Sequence, residues 1–167
     1  RAEPARVVGR NLTLMTDLHQ ALRSDELVLH YQPKLDLLHR EIVGYEALVR
    51  WQHPRLGLLQ PAAFIPLAEM GELIHPLTLR VIEMALAEQA RWRKAGRRQS
   101  VAVNISARDL IDARFADAVR SLLAKYDVGV GDLEFELTET ALIKDPDGAA
   151  HLLDRIAALG IRLSIDD

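Results

Sequence analysis

Val43-Gly44-Tyr45-Glu46-Ala47-Leu48-Val49-Arg50-Trp51 decides the fold. β-Branched and aromatic side chains suit a pleated, half-buried surface, so the run predicts a strand inside a sheet. It nevertheless carries a glutamate and, four residues later, an arginine. An unpaired buried charge is costly, so Glu46 and Arg50 are expected to serve chemistry rather than stability. Positions four apart on a strand share a face, which places the two on one side of the sheet.

Three later stretches repeat the pattern: Val101-Ala102-Val103-Asn104, Leu133-Glu134-Phe135-Glu136 and Leu163-Ser164-Ile165-Asp166-Asp167. Each is a short apolar run ending in an oxygen donor, and oxygen clusters drawn from several strand ends suit hard divalent cations. Glu46, Asn104, Glu136 and Asp166 are therefore the candidate ligands, with Asp167 as a fifth. Two adjacent aspartates at a buried strand end repel unless a cation neutralises them. This points to a dinuclear Mg²⁺ or Mn²⁺ site in which one aspartate bridges both ions; the competing reading of Asp166-Asp167 is a solvated turn.

The neighbours of these positions admit two readings each. Arg50 offers a forked guanidinium for a phosphate oxygen, or a structural ion pair to Glu46. Gln32 either reaches a base or phosphate or satisfies backbone groups beside Pro33. Thr138 and Glu139 either support a ligand through hydrogen bonds or cap a helix. The six histidines lack metal-ligand spacing and are expected to be structural or superficial; Trp51 and Trp92 belong to the core or its rim.

Outward from these strands, Asn11 to Asp25 predicts a helix with Leu14, Leu18 and Leu22 in line. Leu27 to Leu38 predicts a strand, with Pro33 marking an irregularity. The connection to the next strand is too short for a parallel crossover, so the two strands must be antiparallel. His53 to Gly57 is expected to be a loop, and Ala62 to Glu69 a short helix interrupted by Pro66. Pro76 opens a helix to about Ala95, closed by Gly96. Strand Ser100–Ser106 follows, then a helix within Ala107–Tyr126 with Phe115, Val119, Leu122 and Leu123 inward. Strand Leu133–Thr138, helix Asp147–Leu159 and strand Ile161–Asp167 complete an α/β order with a parallel sheet. Ligands at successive parallel strand ends belong to a barrel mouth or an open α/β crevice. Five strands are too few to close a barrel of about eight.

Composition narrows the partners. The 167 residues are 49% hydrophobic with a net charge of -3, which gives no basic footprint for duplex nucleic acid. Cysteine is absent, excluding disulfides and thiolate zinc sites. No apolar run is long enough for a transmembrane segment, and a cytoplasmic domain is expected. Residues 1–10 read as a linker from an upstream domain. The closing strand at Asp167 suggests a segment of a longer polypeptide.

At this point the sequence closely resembles the EAL domain family, bacterial phosphodiesterases acting on cyclic di-GMP. Glu46-Ala47-Leu48 with Arg50 forms the family's E-x-L-x-R. Tyr31-Gln32-Pro33, Phe64-Ile65-Pro66-Leu67-Ala68-Glu69, Asn104-Ile105-Ser106, Glu136-Leu137-Thr138-Glu139 and Ile165-Asp166-Asp167 follow in the family's order. The resemblance implies a modified TIM (β/α)8 barrel with an antiparallel first strand, of which residues 11–167 supply the N-terminal part and about five strands. It implies that Glu46, Asn104, Glu136 and Asp166 hold one metal and that Asp166 and Asp167 contribute to a second, with Glu46, Asp166 and Asp167 catalytic. Arg50 would contact substrate phosphate, Gln32 and Leu48 would line the groove, and Glu139 would support. The implied reaction is hydrolysis of cyclic di-GMP to linear pGpG with Mg²⁺ or Mn²⁺; calcium is expected to occupy the site without supporting turnover. A homodimer and an upstream sensory or GGDEF-type domain are the expected partners. The alternative is a catalytically silent cyclic di-GMP receptor or a signalling and dimerisation module. The family's next stretch, F-G-T-G, and its later lysine, glutamate and glutamine lie beyond Asp167.

Overall fold

A computed structural model describes residues 3–129, 131–138 and 146–166, with the side chains of 3–10, 138, 146–149, 151, 152 and 166 left aside. The elements are α1 (Glu3–Ala21), β1 (Leu27–Asp36), β2 (Glu41–His53), β3 (Gly57–Leu59), α2 (Pro61–Met70) and α3 (Ile74–Lys94). They continue with β4 (Ser100–Ile105), α4 (Ala107–Ile111), α5 (Phe115–Tyr126), β5 (Leu133–Thr138), α6 (Pro146–Ala158) and β6 (Arg162–Asp166). The sheet runs β1-β2-β4-β5-β6, with β3 added to β2. The β2–β4, β4–β5 and β5–β6 pairs are parallel. Only a four-residue turn, 37–40, joins neighbours β1 and β2, so they run antiparallel. Asp36 Oδ1 shapes that turn by accepting from the Leu38 and His39 amides at 2.8 and 3.2 Å. This is the strand pattern of a modified TIM barrel with its first strand reversed.

The chain divides into two compact units, Arg1–Val28 with Val49–Leu77, and Leu29–Leu48 with Thr78–Asp167. In the first, α1 packs on α2 and buries Leu14, Leu18 and Ala21, while α2 buries Phe64, Leu67 and Ala68. Trp51 is fully buried, edge-on to Phe64 at 5.8 Å, and its indole N–H donates to Glu26 Oε2 at 3.0 Å. A buried Trp needs that acceptor. His53, also buried, donates from Nε2 to Asp17 Oδ2 at 3.1 Å and accepts at Nδ1 from the Arg55 and Leu56 amides at 3.1 and 3.3 Å. The two amides fix which nitrogen is the acceptor and hence the tautomer. The Arg55 guanidinium donates to the same Asp17 oxygen at 2.7 Å.

In the second unit, β4 and β5 pack Val101, Val103, Ile105, Leu133, Phe135 and Leu137 into the core. Phe115 of α5 meets Phe135 at 5.9 Å, and Trp92 of α3 is flanked by Tyr31 at 5.1 Å and Tyr45 at 5.4 Å. Ser106 caps α4 in a reciprocal capping box with Asp109, which also accepts from the Thr78 hydroxyl at 2.8 Å. Gln89 donates to the carbonyls of Gln99 and Asp132 at 3.1 and 2.7 Å, fastening α3 beneath the starts of β4 and β5. Gly44 of β2 faces Ser100 of β4, whose hydroxyl donates to the Val43 carbonyl at 2.9 Å. A Cβ at Gly44 would overlap that hydroxyl and stand 2.9 Å from the Ser100 carbonyl.

Several elements differ from the sequence expectation. α1 begins at Glu3, so the helix takes in most of the stretch read as a linker. Helix α2 runs through Pro66 unbroken; the proline forfeits one bond, to the Ala62 carbonyl, and the burial of Phe64, Leu67 and Ala68 outweighs a cost of about 3 kcal/mol. Residues 54–56 form the expected loop as a turn, but it is the tip of a hairpin: β2 extends to His53 and pairs with β3 through Trp51↔Leu59 and His53↔Gly57. The His53 ring satisfies two turn amides there, and Gly57 supplies φ 73°. Residues 107–126 form two helices because Asp112 folds back on the Arg114 amide at 2.9 Å, and Leu122 and Leu123 are only half-buried.

Candidate active site

Strand periodicity divides the residues of the second unit's sheet between two faces. Tyr45, Ala47, Val101, Val103, Leu133 and Phe135 occupy the face covered by helices, leaving Glu46, Asn104, Glu134 and Glu136 on the other. Asn104 is the Cα partner of Glu136, and Glu46 is the partner of Ala102, two residues before Asn104 on the same face. The Asn104 Nδ2 amide donates to Glu46 Oε1 at 2.8 Å, so it is the amide oxygen that a cation would take. Glu46, Asn104 and Glu136 are thus brought to one face by three neighbouring strands.

The charge on that face is unbalanced. Lys34 of β1 donates to Glu134 Oε1 at 2.8 Å and to Glu136 Oε1 at 2.7 Å. Glu134 also accepts from the Ser164 hydroxyl at 2.9 Å and lies 3.6 Å from the Arg162 guanidinium. Burial raises the pKa of the Glu134 carboxyl, but Lys34, Ser164 and Arg162 outweigh it and the net shift is downward. Glu136 moves the other way: burial, with the charges of Glu46 and Glu134, overcomes Lys34 and raises its carboxyl above the ordinary range. Burial alone would lower Lys34, yet its two carboxylates raise it. The two glutamates bonded to one lysine respond oppositely because Glu134 has further partners and Glu136 has a second anion, Glu46, beside it.

The remaining expected positions fall as follows. Arg50 is half-buried on β2 and donates to the Val49 carbonyl at 2.8 Å. Gln32 is exposed on β1, and Leu48 is half-buried on β2. Asp166 lies in β6 with its Cα opposite Thr138, its side chain outside the described residues. Asp167 and Glu139 lie outside them as well. Among the described residues no three acidic or histidine side chains form a metal cage; the Asn104 amide meets Glu46, and Glu136 lies on the same face one strand further on. That set fits a hard cation by chemistry. Lys34 and Glu134 were missed in the sequence. Their signal was strand parity, since Lys34 stands two residues past Gln32 and Glu134 two before Glu136.

A sequence profile of the EAL domain matches residues 15–167. The chain is 40% identical over 159 residues to the cyclic di-GMP phosphodiesterase PA2567 of Pseudomonas aeruginosa, covering 95% of this chain and 27% of that protein. It is 40% identical over 156 residues to the cyclic di-GMP phosphodiesterase PdeR of Escherichia coli, covering 93% and 23%. The chain therefore spans about a quarter of the length of these curated relatives. Among solved structures, the phosphodiesterase PaMucR in complex with c-di-GMP superimposes with a TM-score of 0.87 at 38% identity, over 93% of this chain and 63% of that one. The FimX EAL domain of Xanthomonas citri shares the fold at a TM-score of 0.87 and 24% identity, over 96% and 62%.

Proposed function

The chain belongs to the EAL domain family, and from that premise we propose that it is the N-terminal part of a metal-dependent phosphodiesterase domain that hydrolyses cyclic di-GMP to linear pGpG. The observation that carries the reading is the meeting of Glu46, Asn104 and Glu136 on one face from three adjacent strands. The relatives named as cyclic di-GMP phosphodiesterases supply the substrate. Glu46, Asn104 through its amide oxygen, and Glu136 would hold a Mg²⁺ or Mn²⁺ ion, joined by Asp166, with Asp167 serving a second. Bound there, the cation supplies Lewis acidity and neutralises charge developing at phosphorus.

The protein's own residues have separate tasks. Asn104 holds the Glu46 carboxylate in place through its N–H. Arg50, half-buried on β2, offers donors suited to a phosphate oxygen. Gln32 and Leu48 line the groove for the nucleotide, and Glu139 supports the ligands. The domain acts as the output module of a larger cytoplasmic, dimeric signalling protein; one relative is a bifunctional diguanylate cyclase and phosphodiesterase, which supports a GGDEF-type neighbour. Among the described residues no helix is long and apolar enough to cross a membrane.

The test uses the full-length protein with cyclic di-GMP and Mn²⁺, Mg²⁺ or Ca²⁺. Formation of pGpG with manganese or magnesium, its absence with calcium, and its loss in Glu46→Ala are expected. Tight nucleotide binding with no product under any cation would replace the enzyme with a receptor.

A further inference from the structure

Resting on the cation site proposed above, we propose that Lys34 is a resident counter-cation that competes with the divalent ion for Glu136 and thereby sets its affinity. Lys34 belongs to β1, whereas Glu134 and Glu136 belong to β5, and the sheet order inserts β2 and β4 between them. The lysine therefore reaches across the open face of the sheet instead of pairing along a ladder. Its ammonium lies within 2.8 Å of both carboxylates, whose side chains are only 14% and 10% exposed. Glu134 has Arg162 as a second cation at 3.6 Å, whereas Lys34 is the cation hydrogen-bonded to Glu136, which also feels the charges of Glu46 and Glu134. The ammonium is divided between two carboxylates, one of them a proposed metal ligand. Glu136 Oε1 is occupied by Lys34, and Oε2 has no hydrogen-bond partner among the described residues. A divalent ion entering beside Glu46 and Asn104 shares Glu136 with the lysine, and the repulsion between the two cations weakens its hold.

The inference is tested by titrating Mn²⁺ alone, without nucleotide, into full-length protein and following free manganese by electron paramagnetic resonance. Lys34→Met is expected to bind Mn²⁺ about tenfold more tightly than wild type, because a nearby like charge is removed. Lys34→Arg, which keeps the charge, should stay within about threefold. In EDTA, Lys34→Met should melt below wild type and gain more on adding manganese, since the ion becomes the main neutraliser. Unchanged or weaker manganese binding by Lys34→Met, with wild type binding normally, overturns the counter-cation role and leaves the enzyme reading intact. No manganese binding by wild type overturns both. If Lys34→Met does not fold, Lys34→Gln decides: with the charge gone and a polar side chain kept, manganese affinity must rise severalfold, an unchanged value refuting the proposal.

Discussion

Asp17 and Glu136 are carboxylates in the same fold with opposite charge balances. Asp17 is one acid between two nitrogen donors, His53 and Arg55. Burial raises its pKa, but the His53 and Arg55 bonds outweigh that and leave it below its ordinary value. Glu136 shares a single ammonium with Glu134 and stands near Glu46, and its carboxyl rises. A carboxylate whose partners satisfy it holds structure together: here α1 is tied to the β2–β3 hairpin. Glu136 rises chiefly because it is buried, with the charges of Glu46 and Glu134 adding to that, and carboxylates perturbed in this way collect at functional sites.

The largest effect that would break this contrast is on turnover. Glu136→Gln should lower product formation by on the order of 10²-fold or more with manganese, the scale expected when one stabilising group at a developing charge is removed. Normal turnover in that variant would put Glu136 with Asp17 among the structural acids. On the structural side, His53→Ala should leave two turn amides unpaired, take one of the two partners of Asp17 and open a small cavity. A loss of about 2–4 kcal/mol in urea denaturation is expected, with cation affinity unchanged.

The pH dependence sharpens the same contrast. Because the pKa of folded Asp17 is lowered, the unfolded chain binds more protons there, and stability rises with pH through that interval. The contribution is complete above the ordinary carboxylate range and is lost as pH falls through the lowered value. Asp17→Asn should therefore flatten the loss of stability as pH falls below the ordinary carboxylate range, read as urea midpoints against wild type. The smallest effect serves as a baseline: the Glu88–Arg91 pair on α3 is superficial at 3.0 Å, and Glu88→Gln should cost no more than about 0.5 kcal/mol.

Much of this was legible in the residues themselves. The runs around Glu46, Asn104 and Glu136 announced strands because apolar side chains alternate with donors, and the brief Leu38–Glu41 connection dictated an antiparallel hairpin. Local rules failed where a distant side chain replaced a backbone partner. Nothing within 53–57 signals a strand pair until His53 is seen satisfying the Arg55 and Leu56 amides. Pro66 looked like a helix breaker because the burial around it is tertiary. Lys34 stayed hidden for a related reason: its acids lie 100 and 102 residues away, and only sheet order puts them within its reach. Val43-Gly44-Tyr45 hid a constraint too, since a glycine in a strand ordinarily weakens it.

Gly44 alters how mutational scans of this domain should be interpreted. The position has no reactive group, yet almost any replacement collides with Ser100 at the base of the strand that presents Glu46. Loss-of-function alleles should accumulate there as densely as at a catalytic residue, and trimming Ser100 should rescue them only in part, because the 2.9 Å approach to its backbone carbonyl stays.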